Sequence, residues 1–247
     1  MKKAKSVFRG IVIFLLCMVE IYPLFWMLTA SFKKQAEWSE KPAYALNDGF
    51  YFQNYSDAWT RGHMSTFFKN SLITTLVALV FIVFFSVTVG FAVTKMKWKF
   101  RNAVAQYFRF GIMIPVAIAL IQLFQIYSKT NMLNTRTCLI NTYIAFGLSL
   151  SIYLVQGYIR SFPDDIMEAA VIDGCGIYRL MWHIVTPLMK NSIVTVLVLQ
   201  FFFKWNDLLF SMTFISDSAL KTVQTGLLYF SDEFGSKNWG AIFASVS

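Results

Sequence analysis

The stretch that decides the fold is residues 161–190, SFPDDIMEAAVIDGCGIYRLMWHIVTPLMK, a polar island between two long apolar runs. Ser161 is a cap-type residue ahead of Pro163, and Asp164 and Asp165 suit the positive end of a helix dipole. A helix is therefore expected to start here and to run through Ile166, Met167, Ala169, Ala170 and Val171. Gly174 is the residue best able to take the left-handed geometry that ends it. A second helix then carries Ile177, Leu180, Met181, Ile184 and Val185 on one face, at the spacing of an apolar helical stripe, and Thr186-Pro187 closes it. The island thus reads as two short amphipathic helices joined at a glycine.

Outward from the island the chain has the composition of a membrane protein. Of 247 residues, 57% are hydrophobic, 18% are aromatic and only 14% are charged, against roughly 25% charged in a soluble domain. The formal net charge of +9 is carried mostly beside apolar runs, where cytoplasmic loops and anionic headgroups account for it better than nucleic acid does. Cys17, Cys138 and Cys175 have no CxxC spacing, so neither a metal site nor a disulfide framework is signalled. His63 and His183 each stand alone and read as structural or surface residues.

Lys2, Lys3, Lys5 and Arg9 precede an apolar run from about Ile11 to Phe32, long enough for the roughly 20 residues of a spanning helix. The amino terminus is expected to be cytoplasmic. A secretory signal cut near Thr29-Ala30-Ser31 is the rival reading, but the run exceeds the roughly 7 to 15 apolar residues of such a signal. Glu20 within it is costly in lipid and is expected to face protein or a polar cavity. Residues 33–69 then read as an ordered outer loop, and a second span from about Asn70 to Thr94 returns the chain to the basic cluster Lys95 to Arg101, a cytoplasmic mark. A third span, Val104 to Tyr127, contains Pro115, which is expected to kink it. Arg109 near its start can snorkel to the interface.

A fourth span, Leu139 to Tyr158, carries Gly147, Ser149, Ser151 and Gly157 for close helix contacts. The fifth, Asn191 to Phe214, is interrupted in its outer half by Lys204, Trp205, Asn206 and Asp207, which either line a cavity or mark an interfacial end. Residues 216–237 read as a second outer loop, and the run from Asn238 to Ser247 as the start of a sixth helix. The expected fold class is all-α, a polytopic transmembrane bundle of five full spans plus the start of a sixth, with residues 1–247 forming one transmembrane domain.

The chain lacks the GxxxxGK[ST] loop of a P-loop ATPase, the HExxH pair of a zinc protease and the GxSxG elbow of a hydrolase. No catalytic residue and no metal ligand is assigned. A self-sufficient secondary carrier or channel is the alternative reading, but Glu20 is the one acid deep within an expected span, where ion coupling calls for more. A structured cytoplasmic loop between spans four and five is best used to hold a partner.

Glu168-Ala169-Ala170, then Asp173-Gly174, then Ile184 and Pro187 resemble the EAA motif of the membrane subunits of bacterial binding-protein-dependent ABC importers. Tyr22-Pro23-Leu24-Phe25-Trp26, Ser31-Phe32-Lys33, Asn54-Tyr55, Asn70-Ser71 and Trp205-Asn206-Asp207 resemble the carbohydrate-importing branch, nearest to its maltose-type second permease subunit. Cys175 stands where that family usually has alanine, and Lys190-Asn191 where a second proline is common.

The resemblance implies a type I importer permease in the bacterial cytoplasmic membrane, forming half of a translocation pathway for a sugar. Its partners would be a homologous second permease, two cytoplasmic ABC ATPase subunits and an extracellular or periplasmic sugar-binding protein that docks on residues 33–69 and 216–237. It would carry no cofactor of its own, ATP and magnesium belonging to the ATPases. Residues 161–190 would be the coupling loop, with Glu168, Ala169, Ala170, Asp173 and Gly174 meeting the ATPase. Ile177, Leu180, Met181, Ile184, Val185 and Pro187 would pack against the permease's own helices.

Overall fold

A computed structural model describes residues 2–233 and 239–247. The elements, in chain order, are α1 (Lys2–Ser31), α2 (Gln35–Glu40), α3 (Gln53–Thr60), α4 (Met64–Thr94), α5 (Arg101–Met113), α6 (Val116–Lys129) and α7 (Arg136–Arg160). They continue with α8 (Asp164–Ile172), α9 (Ile177–Leu188), α10 (Lys190–Trp205), α11 (Leu209–Phe214), α12 (Val223–Glu233) and α13 (Trp239–Val246). No strand occurs among the described residues, and the all-α reading holds.

Three helices, α1, α4 and α7, are long and apolar enough to cross a membrane unaided. Two further expected spans are broken. The third is two helices, α5 and α6, bent by 101°. The residues at the break explain why this exceeds a kink. Ile114 is extended (φ −76°, ψ 116°), as a residue preceding proline prefers, and Pro115 itself has ψ 128°. Two consecutive residues leave the helical region, so the axis turns. The fifth span is α10, which bends by 77° from α9 at one end and stops at Trp205 at the other, three residues before α11 begins.

The chain forms two compact units. Residues 68–224 make the larger one, which has two apolar cores. The first gathers Ala78 and Ile82 of α4, Tyr127 of α6, Leu139 and Tyr143 of α7, and Phe210 and Phe214 of α11. The second joins Val87 and Phe91 of α4 and Val155 and Ile159 of α7 to the polar island. Between them, Gly147 of α7 lets the helices close: a Cβ there would lie 2.5 Å from Cδ1 of Ile82 and 3.2 Å from Oε1 of Gln200. Ser149 and Ser151 are also at helix contacts or buried, but Gly157, expected to serve the same end, is exposed, and a Cβ there would meet nothing within 4 Å.

Residues 1–67 and 225–247 make the other unit. Asn54 of α3 is 2% exposed and donates to the carbonyls of Ser31 and Lys33, 2.8 Å each. Tyr55 bonds Ser31 through their hydroxyls at 2.7 Å. Phe243 of α13 stacks on Trp38 and meets Trp26 edge-on. Elsewhere α1 is bare: its apolar window is 0% buried within the chain, and Glu20, expected to face protein, is exposed.

Two expected loops contain helices. Residues 33–69 hold α2, α3 and the first turns of α4. Residues 216–237 hold a 3₁₀ turn at Ser218–Leu220 and α12, while 234–237 lie outside the described residues. The 218–222 segment is fixed by Asn70, whose amide donates to the carbonyls of Ala219 (2.9 Å) and Lys221 (3.0 Å) and whose oxygen accepts from Arg136. Ser71 accepts the backbone N–H of Val223 at 2.9 Å.

Candidate functional site

The island folds as α8 and α9 joined through residues 173–176. Pro163, not Ser161, holds the N-cap position of α8, and Asp164 and Asp165 occupy its first turn. Ser161 instead ends α7, donating its N–H and its hydroxyl to Tyr158 O. At the far end of α8 the chain closes a Schellman turn: Gly174 N–H donates to Val171 O (3.0 Å) and Cys175 N–H to Ala170 O (2.9 Å). Gly174 has φ +80°, the left-handed conformation expected of it.

The second helix departs from the regular 3.6-residue period. Leu180–Val185 form a π-helical turn, sealed by Thr186, whose N–H and hydroxyl both reach back five residues to Met181 O. Pro187 follows, with no N–H to continue a regular ladder. The wider turn rotates the stripe. Leu180 (4% exposed), Met181 (5%) and Val185 (1%) are buried against α4 and α7, with Ile184 packed beside them. Ile177 and Pro187, expected in that packing, are exposed. Trp182, which the periodicity did not single out, stacks on Phe84 of α4 with centroids 5.4 Å apart.

The residues expected to meet a partner divide in the same way. Glu168, Ala169, Asp173 and Gly174 are exposed, whereas Ala170 turns inward and is 7% exposed within the core shared with Val185. Glu168 makes no hydrogen bond or ion pair with the described residues, so its carboxylate is free. Apolar side chains that the motif did not predict share the cleft with it, Val171 at 58% exposed and Ile172 at 86%, and Tyr178 on the next helix is 77% exposed. A cleft of ≈ 430 Å³ opens beside Glu168, between α4 and the two island helices. A free acid rimmed by exposed aliphatic and aromatic groups is the make-up of a protein-docking surface. No group of three or more histidine, cysteine or acidic residues able to hold a metal occurs among the described residues.

Residues 82–246 match the family model described as binding-protein-dependent transport system inner membrane component. The chain belongs to that family. This permease is 29% identical over 92% of its length to the diacetylchitobiose uptake system permease protein NgcG of Streptomyces coelicolor, covering 76% of that protein. It is 30% identical over 97% of its length to the probable starch degradation products transport system permease protein AmyC of Thermoanaerobacterium thermosulfurigenes, covering 85% of it. A crystal structure of a bacterial ABC transporter involved in the import of the acidic polysaccharide alginate superposes with a TM-score of 0.84 over 99% of the permease and 90% of that chain. At 17% identity that likeness speaks for the fold. The permease is a multi-pass membrane component of an import system, and the self-sufficient carrier or channel is not favoured.

The other matching fragments prove to be joints, apart from the exposed Tyr22, Leu24 and Phe25 of α1. Asn54-Tyr55 holds Ser31-Phe32-Lys33, and Asn70-Ser71 holds the 219–223 segment. Asp207 caps α11, accepting from the N–H groups of Phe210 (3.2 Å) and Ser211 (3.0 Å) while the hydroxyl of Tyr143 donates to it at 2.9 Å. Lys204 is 9% exposed, its ammonium 5.8 Å over the Tyr143 ring. Asp207 and Lys204 thus brace the broken end of the fifth span, a role distinct from both readings of these polar residues.

Proposed function

We propose that this permease forms half of the translocation pathway of an ATP-driven carbohydrate importer and takes its drive through the α8–α9 loop. The observation that carries the reading is the free Glu168 carboxylate set among the exposed Val171, Ile172 and Ile177. Glu168 offers a charge-assisted bond to an arginine or lysine of a cytoplasmic ATPase, Ala169 allows close backbone approach, and Asp173 and Gly174 turn the chain away from the contact. Two ATPase subunits supply ATP and magnesium chemistry, a homologous permease supplies the other half of the pathway, and a sugar-binding protein delivers the ligand to residues 33–69 and 216–237. The amino terminus and the α8–α9 loop then both lie in the cytoplasm of a bacterial cell, in keeping with the basic segments beside them. Relatives whose names specify diacetylchitobiose and starch degradation products support an oligosaccharide as cargo.

Replacing Glu168 by Lys tests the docking. The loss of one charge-assisted bond, about 1.5–3 kcal/mol, together with the new like-charge contact, is expected to abolish co-purification of the ATPases and sugar uptake while membrane insertion persists. ATPase association and uptake at wild-type levels in Glu168→Lys would refute it.

A further inference from the structure

We propose that Lys95 is a positioning residue that ties the coupling loop to the end of α4, so that α8 cannot move without carrying α4; this rests on the docking reading given above. Lys95 follows directly on α4, its N–H donating to Phe91 O at 2.9 Å. Its ammonium bonds Oδ1 of Asp164, in the first turn of α8, at 2.6 Å, and Phe162 O at 3.4 Å. The basic cluster from Lys95 to Arg101 suffices as a topology signal through Lys97, Lys99 and Arg101. Lys97 and Lys99 are exposed, whereas the Lys95 side chain is 14% exposed and is turned onto the junction between α7 and α8. The ion pairs Lys41–Asp48 and Arg61–Asp57 join near neighbours in the chain, but Lys95 and Asp164 are 69 residues apart, one at the end of α4 and the other in α8.

The mechanics follow from how α8 is held. Its carboxyl end is fixed by Ala170 in the shared core and by the Schellman turn at Gly174. Its amino end, with Asp164, Asp165 and Ile166 exposed, is joined to α7 by the chain itself, packs Phe162 and Met167 on the core that holds Val87 and Phe91 of α4, and is bonded to the end of α4 by Lys95. Without that bond a force applied at Glu168 reaches α4 only through the apolar contacts of Phe162, Met167 and Ala170, which can slide as α8 tilts about residues 173–176. With it, both spans take up the displacement, as a contiguous network of packed and bonded groups requires.

In the reconstituted importer, with binding protein and ATPases present, Lys95→Gln is expected to leave ATPase co-purification unchanged. The ATP hydrolysed per sugar imported should rise about two- to thirtyfold, the range of coupling effects for such positions. Lys95→Arg and the exchanged pair Lys95→Asp with Asp164→Lys should bring the ratio back towards wild type, and Lys97→Gln, the same charge loss in the same loop, should leave it unchanged. A wild-type ratio in Lys95→Gln, or an equal rise in Lys97→Gln, would overturn the proposal. So would loss of the ATPases from Lys95→Gln, which would make Lys95 part of the docking surface. If Glu168→Lys keeps its ATPases while Lys95→Gln uncouples, the docking reading fails and the tie between α4 and α8 stands.

Discussion

Gly174 offers the most direct test of how the loop is built, because its conformation and its surroundings make separate demands. It sits at φ +80°, and a Cβ placed on it meets nothing within 4 Å. Substitution by alanine therefore costs backbone strain alone, about 1–2 kcal/mol for an L-residue in the left-handed region. That strain lowers the population of the closed turn by a factor of about 5–30. Asparagine, which tolerates this region, should cost less than alanine despite its greater bulk, and valine should cost most. The readout is hydrogen exchange at the amides of residues 174 and 175, which donate to Val171 O and Ala170 O in the native turn, measured beside sugar uptake in the assembled importer. Protection and uptake are expected to fall in the order glycine, asparagine, alanine, valine. Unchanged protection in Gly174→Ala would refute the strain argument. A decline that follows side-chain volume, with asparagine below alanine, would show that a partner's close approach selects glycine.

Two further substitutions probe the larger unit. Gly147→Ala should destabilise the detergent-solubilised permease by about 1–3 kcal/mol through overpacking against Ile82 and Gln200, and Ile82→Val, which removes the offending Cδ1, should recover at least half of that loss; strictly additive melting shifts would count against the contact. Tyr143→Phe should cost about 1.5–3 kcal/mol as a lost bond to a charged acceptor, and Asp207→Ala a further ~0.5–2 kcal/mol because the α11 cap goes with it; the reverse order in thermal melts would show that Asp207 does not brace α11.

What could be read from the sequence was set by local chemistry. Gly174 announced a helix end because few other residues reach positive φ, and Pro115 announced an interruption because it has no N–H. Asn54 and Asn70 matched a family pattern, but their work as joints emerges only when residues far apart in the chain are brought together, Asn70 with Lys221 across 151 positions. Periodicity failed where the backbone changed its own period. The π turn at Leu180–Val185 leaves Ile177 outside and brings Trp182 onto Phe84, and no pattern computed at 3.6 residues per turn reports that. Ala170 faces the core for a related reason: a motif gives the order of residues, while the face each presents depends on where α8 lies on the core. Val171, Ile172 and Tyr178 read as ordinary helix-face apolar residues until the fold leaves them uncovered.

The same packing bears on how a push on the loop can travel. Leu180, Met181 and Val185 share one core with Val87 and Phe91 of α4 and Val155 and Ile159 of α7, and close-packed interiors shift between discrete arrangements more readily than they deform. α9 therefore behaves as an extension of the membrane helices. The compliance lies at residues 173–176, where the Schellman turn links α8 to that block with two backbone bonds. A soft joint beside a rigid block transmits force only if the amino half of α8 is held as well, and Lys95 on Asp164 adds a charged bond there to the packing of Phe162 and Met167. On this construction the loop needs strain-free geometry at Gly174 and charge pairing at Lys95 together. Loss of either should separate ATP hydrolysis from transport before it unfolds the bundle, because neither residue contributes a side chain to the apolar core.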